Sequence, residues 1–526
     1  MPSFKSGVLG VGALALALLL RSDGAEAIRP VNPQVVKLAA KKATRTAGHA
    51  KRATPTFPLY NFTQPLDHFS DTGFTFQQRY WVSDRHYKPG GPVIVFEAGE
   101  GPGDERMPIL DTGIIDILAN ATNGLGIVLE HRYYGKSVPV LNFTTDSLRW
   151  LNNEQAAADS ANFIDNVTIP GIKGDITAPG TPWIYYGGSY GGARAAHMRV
   201  LYPDIVFGSI SSSGVTHARV VDWRYFDIIR QYAPQDCVAR IVQTVDEVDT
   251  LLTRNNHTRN AIKAVFGLSG ISYDPDFASL LSSPLGAWQN RNWDPAIDDP
   301  SFFDFCEALG PLDNATVTTH GVTISNATAQ YANYINQTIS LDCPVAQQDE
   351  CFGSITDPES FSQTDLSQTW RLWNFQVCTQ WGFLMTPPPD PATPRIISKL
   401  LTKEYAHLTC TLSYPPGEHF AIPAWPNVED VNKLGGYNIA YDRLAIIDGE
   451  DDPWRGDTPH SPDPRAHNRT DTTIRPFKLI PTAVHHWDEN GLADPSAEPD
   501  FIQTIHHQEV AFVTEWLKGF KTPSAH

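Results

Sequence analysis

The segment Gly187-Gly188-Ser189-Tyr190-Gly191-Gly192 sets a serine among small residues. A serine hydroxyl is a weak nucleophile until a neighbouring base takes its proton. It is presented for attack when it sits on a sharp turn from a buried strand into a helix, and so tight a turn needs glycine around it. Trp183-Ile184-Tyr185-Tyr186 reads as that strand, and Gly192 to Leu201 reads as the helix, ending before Pro203. A helix beginning behind Ser189 offers free backbone N–H groups, so the N–H of Tyr190 is the expected first oxyanion donor. The plain alternative is an ordinary glycine-rich strand-to-helix turn.

On such an elbow the partners follow in the order acid, then histidine. Asp448-Gly449-Glu450-Asp451-Asp452-Pro453-Trp454 comes after the apolar run Leu444 to Ile447, and Asp448, Glu450, Asp451 and Asp452 all qualify by position. Val484-His485-His486-Trp487 comes soon after a second run, Phe477 to Ile480. The competing readings are a solvated acidic turn and a surface histidine pair. The turn Gly99-Glu100-Gly101-Pro102-Gly103 leaves a buried run at Pro92 to Phe96, and Glu100 or Gly101 is the expected second oxyanion donor. Pro102 and the acids Glu100, Asp104 and Glu105 suit a dinucleotide pyrophosphate poorly. Trp454 and Trp487 adjoin the candidate acid and base; each could wall an apolar slot or simply pack.

These residues need a frame. Pro92 to Phe96, Gly126 to Glu130, Trp183 to Tyr186 and Val206 to Ser211 read as buried strands, with a helix over Leu151 to Ile164 capped by Asn152 or Asn153. Buried strands separated by helices predict a parallel sheet, hence an α/β fold. Residues 216–430 are more helical and hold all six cysteines; strand–helix alternation then returns, with a terminal helix over Val510 to Phe520. The expected plan is one α/β-hydrolase domain, 53–215 and 431–526, interrupted by a mostly helical, disulfide-containing cap at 216–430. Sequential pairing closes the shortest loops: Cys237 with Cys306, Cys343 with Cys351, Cys378 with Cys410.

Export is expected. Residues 1–27 have a basic start at Lys5, an apolar run from Val8 to Leu20 and an Ala25-Glu26-Ala27 cleavage site. Residues 28–52 carry seven Lys and Arg, no acid, and end on Lys51-Arg52, which reads as a propeptide or a basic linker. Losing both segments takes the formal charge from −18 to −25, which argues against nucleic acid and anionic membranes as partners and suits work at acidic pH. Glycosylation sequons lie at Asn61, Asn120, Asn142, Asn166, Asn256, Asn314, Asn326, Asn336 and Asn468. No CxxC pair or Cys-His cluster suggests a metal, and no cofactor is expected.

Further pieces carry a resemblance. They are Phe62-Thr63-Gln64-Pro65-Leu66-Asp67-His68-Phe69, Gln78-Arg79-Tyr80-Trp81, Glu130-His131-Arg132-Tyr133-Tyr134-Gly135, the Ser189 elbow, Asp451-Asp452-Pro453-Trp454 and His485-His486-Trp487-Asp488. In this order they resemble the prolyl carboxypeptidase and dipeptidyl-peptidase II family of serine peptidases (family S28), which includes fungal secreted prolyl peptidases. The resemblance implies an α/β-hydrolase with a helical cap, Asp452 as the acid, His485 as the base, and peptide substrates cut after proline. The chain departs from that family at Ser212-Ser213-Gly214-Val215, where Ser-Ala-Pro is common, and at Cys378-Thr379-Gln380, where Cys-Thr-Glu is common. It also lacks a glycine before His485. The loss of the acid at Gln380 disfavours capture of a free substrate amine. The expected function is therefore a secreted serine peptidase, extracellular or in a vacuolar or lysosomal lumen, monomeric or homodimeric. The alternatives are an esterase or lipase on the same fold, and a non-catalytic binding protein. Endo-, carboxy- and dipeptidyl-peptidase activities stay open.

Overall fold

The computed structural model describes residues 56–522; the expected export signal and basic segment lie outside the described residues. Eight strands form the main sheet: β1 (Leu59–Pro65), β2 (Thr75–Ser83), β3 (Val93–Glu97), β4 (Leu125–Leu129), β5 (Trp183–Gly188), β6 (Gly208–Ser212), β7 (Leu444–Gly449) and β8 (Phe477–Ile480). Their spatial order is β1-β2-β4-β3-β5-β6-β7-β8. Strand β2 runs antiparallel to β1 and β4, and every other pairing is parallel. The chain is thus an α/β-hydrolase whose cap enters between β6 and β7.

Strand β3 shows why the sheet must be covered on both sides. All five of its residues are buried, and alternate ones point to opposite faces. Val93 and Val95 pack with α2 (Asn153–Asn166) and α3 (Ser189–Leu201), through Ala157, Phe163, Ile164, Ala195 and Met198. Ile94 and Phe96 pack with α1 (Ile114–Thr122) and α6 (Asp500–Lys518), through Ile115, Leu118, Ile502, Phe512 and Val513. Helix α2 starts where Asn152 accepts the Gln155 N–H, as an N-cap should. The terminal helix begins ten residues before the expected Val510: Asp500 puts a negative charge in its first turn, just after Pro499, and Ile502, Ile505 and His506 bury its first half.

The pieces that carried the family resemblance form a buried polar network. Gln64 donates to Gln78 Oε1 (2.7 Å) and to the Asp159 carbonyl (2.8 Å), and Gln78 donates to the Glu130 carbonyl (2.8 Å). Arg79 pairs with Glu130, and Arg132 grips both oxygens of Asp159, at 2.5 and 2.8 Å. Burial alone would raise Asp159; Arg132 and His68 outweigh it and hold the carboxyl below its ordinary range. This network ties the β1–β2 ribbon to the exit of β4. Gly135 belongs to it by necessity: a Cβ there would lie 2.0 Å from Glu130 Oε1.

Between β6 and β7 the chain is mostly helical. Helix α4 (Gln235–Arg254) packs with α5 (Asn326–Thr338). Two short strands, Arg219–Asp222 and Gly382–Met385, pair in parallel near the point where the chain leaves the sheet. The disulfides join Cys237 to Cys306, Cys343 to Cys351 and Cys378 to Cys410. Asn61, Asn120, Asn166, Asn256, Asn314 and Asn468 are exposed, and Asn142 and Asn326 are half-buried. Asn336 is half-buried too, and its amide donates to the Val265 carbonyl (3.0 Å). Among the described residues no helix is long and apolar enough to cross a membrane.

Candidate active site

Strand β5 ends at Gly188 and α3 begins at once with Ser189, three residues before the expected Gly192. Ser189 has φ +58°, a region that residues other than glycine rarely adopt, so the turn carries backbone strain. The glycines permit it. A Cβ on Gly187 would lie 2.2 Å from the Gly191 carbonyl oxygen, and one on Gly192 would lie 2.6 Å from the Ser212 carbonyl oxygen.

The sheet brings two distant loops to this serine. Asp452 follows β7, and His485 follows β8. His485 Nε2 lies 2.8 Å from Ser189 Oγ, and His485 Nδ1 lies 2.8 Å from Asp452 Oδ2. The second Asp452 oxygen accepts the Trp454 backbone N–H (2.9 Å), which fixes the carboxylate. With Nδ1–H donating to Asp452, Nε2 is left to accept the serine proton. All three residues are buried. Burial pushes His485 below the ordinary histidine value; Asp452 opposes this, and the neighbouring His486 adds to it.

The competing acids separate clearly. Asp448 faces His460 (2.7 Å). Glu450 accepts the Thr482 N–H (3.4 Å). Asp451 meets neither the serine nor the histidine pair; burial pushes it up to about 6, against the pull of Arg291. The turn that holds Glu100 and Gly101 begins beside the elbow: a Cβ on Gly99, at φ +69°, would stand in ordinary contact with the Gly191 nitrogen, at 3.6 Å, and the Glu100 carboxyl lies close enough to act electrostatically on Tyr190. The Tyr190 ring is buried, with its hydroxyl 2.9 Å from His131 Nε2.

Trp454 and Trp487 are both packed. Trp454 lies edge-on to Tyr225 and Phe383 and donates to Gln289 Oε1 (2.8 Å). Trp487 donates to the Arg291 carbonyl (2.7 Å). Gln380, at the family's acidic position, accepts the Asn153 N–H (3.0 Å).

Sequence reasoning missed an acid cluster behind the elbow. Asp488 accepts from Ser212 Oγ (2.6 Å) and Tyr186 OH (2.5 Å). Glu489 pairs with His486 (3.2 Å) and abuts Gly188, where a Cβ would meet its Oε1 at 1.8 Å. The acids following the histidine pair were the available signal. Among the described residues no group of three or more His, Cys, Asp and Glu could hold a metal.

An α/β-hydrolase sheet that delivers a serine, a histidine and an aspartate into one hydrogen-bonded line has the arrangement of a serine hydrolase. The profile of the family described as Serine carboxypeptidase S28 matches residues 64–498, and the chain belongs to that family. It is a serine-type peptidase. A relative from Arthroderma benhamiae, named "Probable extracellular serine carboxypeptidase", is 40% identical over 542 residues, covering 96% of this chain and 74% of the relative. "Serine protease vicPa" of Bipolaris victoriae is 27% identical over 446 residues, covering 81% and 83%. "Lysosomal Pro-X carboxypeptidase" of Bos taurus is 26% identical over 536 residues, covering 96% and 97%.

Proposed function

We propose that this chain is an exported serine carboxypeptidase that hydrolyses the bond after proline through an acyl-enzyme on Ser189. The observation that carries the mechanism is the line Ser189 Oγ, His485, Asp452, with both links at 2.8 Å. His485 takes the Ser189 proton as Oγ attacks the scissile carbonyl carbon. Asp452 holds the imidazole tautomer and stabilises the imidazolium. The Tyr190 N–H and an N–H of the Glu100-Gly101 turn receive the oxyanion. His485 then protonates the leaving amine, the acyl–Ser189 ester forms, and water repeats the sequence to release the acid.

The names of the fungal and bovine relatives support the carboxypeptidase direction and the proline preference. Gln380 supports the same direction, being uncharged and already bonded to Asn153. Export is supported by the three disulfides and the exposed sequons. Activity at acidic pH is supported by the depressed His485. The insertion between β6 and β7 supports a cap, at 216–430, that governs access.

Three substrates test this: a peptide with a penultimate proline and a free C-terminus, the same peptide amidated, and the same peptide acetylated at its N-terminus. The expected result is release of the last residue from the free and the acetylated peptides and little turnover of the amide. Release of an N-terminal dipeptide, or turnover of a simple ester with no peptide cleavage, would overturn the reading.

A further inference from the structure

The six-residue cap segment Trp288-Gln289-Asn290-Arg291-Asn292-Trp293 lies across both loops that hold Asp452 and His485. On the acid side, Trp288 Nε1 donates to the carbonyl of Asp451 (2.9 Å), the residue before Asp452. Gln289 Oε1 accepts from Trp454 Nε1 (2.8 Å), two residues after Asp452, and from Tyr225 OH (3.0 Å). On the base side, Trp487 Nε1 donates to the Arg291 carbonyl (2.7 Å), and Trp293 Nε1 donates back to the Trp487 carbonyl (2.9 Å), two residues after His485. Within the segment, the Arg291 guanidinium lies 4.2 Å over the Trp288 ring. Trp288, Gln289, Trp454 and Trp487 are all buried.

The geometry has a consequence. Asp452 and His485 stand on loops after two adjacent strands; the Glu450 N–H donates to the Ile480 carbonyl (3.0 Å) and the Asp451 N–H to the Ala483 carbonyl (2.9 Å), and beyond these bonds each loop is held from the cap side. The Trp288 bond fixes the peptide plane that leads into Asp452, and Pro453 restricts the next one. The Trp293 and Trp487 bonds close a two-way clamp just beyond His485. Both loops are thereby referenced to one short segment of the cap. We propose that Trp288 and Trp293 are positioning residues for the acid–base pair, so that the cap is part of the catalytic frame as well as a cover over it. This rests on the assignment of Asp452 and His485 proposed above.

Phenylalanine at either position keeps an aromatic ring and removes the N–H. The test is to prepare full-length Trp288→Phe and Trp293→Phe and titrate their active sites. One then measures kcat and KM on a proline peptide, the rate at which a small phosphonate labels Ser189, and the melting temperature. A misplaced base costs rate steeply. The expected result per titrated site is a fall in kcat of roughly tenfold or more, an equal fall in phosphonylation rate, and a KM within about twofold of the parent. The phosphonate needs no peptide subsite, so this result separates positioning from substrate contact. A lower melting temperature with an unchanged rate per site would overturn the inference, as would a change in KM alone with normal labelling. In either case the parent enzyme would still label at Ser189, which leaves the peptidase reading standing. Absence of labelling in the parent would remove both.

Discussion

At the scale of single residues, four acids competed for one role on position alone, and contact with His485 distinguishes Asp452 from the others. Losing the orienting carboxylate leaves the wrong imidazole tautomer, so Asp452→Asn is expected to lower kcat by roughly 10⁴-fold. Asp451→Asn and Glu450→Gln should leave kcat within a few-fold; parallel steady-state assays of the three variants check this. In the proposed mechanism His485 also sets the acid limb of the pH profile. Its neutral form would be the base, and burial and His486 both depress it, so that form persists at lower pH than for an ordinary histidine. The midpoint of the acid limb of kcat/KM should therefore lie below the ordinary histidine value of 6.5. His486→Gln removes one of the depressing charges and should move that limb upward; a pH–rate series reads both.

At the scale of elements, the elbow works because β5 passes into α3 with no intervening loop. The Gly187 Cα faces the Gly191 carbonyl, which belongs to the same turn and cannot yield without moving Ser189. Gly187→Ala is expected to lower kcat/KM by at least about hundredfold. Gly286→Ala in the cap, where a Cβ meets nothing within 4 Å, should be silent in the same assay. The elbow was legible in the sequence because its glycines and its flanking apolar run are local signals. The buried strands β3, β4, β5 and β7 were legible for the same reason. The β1–β2 ribbon was not read as strands, since Leu59–Pro65 and Thr75–Ser83 mix polar and apolar residues, and Gln64 and Gln78 face a polar network inside. The Trp288–Trp293 segment could not be read at all. Its partners on the two loops are two backbone carbonyls and two indoles, 163 to 196 residues away, and no local pattern announces such a contact. The choice of Asp452 came from family resemblance, because spacing left four candidates.

At the scale of the whole molecule, the acidic balance has a physical counterpart inside the fold. Burial pushes Asp451 and Asp488 up to about 6, and it pushes Glu509 well above the ordinary carboxyl range, with Asp488 and Glu489 adding to the effect. Neither Glu509 oxygen has a hydrogen-bond partner among the described residues. A carboxyl whose value is raised by folding contributes stability at low pH, and that contribution is lost as pH climbs from the unfolded value through the folded one. Asp159 and Asp463 shift the other way, so their contribution fades only below the ordinary aspartate value of 3.8. Histidines that burial holds below their ordinary value, among them His131, His197 and His217, pull the opposite way as pH falls, so the carboxyl contribution is read by difference: Glu509→Gln should raise the melting temperature more near pH 7.5 than near pH 5. Calorimetry across that range checks the sign.

The central claim is that Ser189 is the nucleophile of this peptidase, driven by His485. Its most direct test is to treat the purified enzyme with a serine-directed phosphonate, map the modified peptide by mass spectrometry, and follow residual peptidase activity against the fraction modified. The account predicts one modified residue, Ser189, activity falling in proportion to its modification, and neither labelling nor turnover in Ser189→Ala. Peptide cleavage that survives in Ser189→Ala, or inactivation that tracks modification of a different residue, would contradict it.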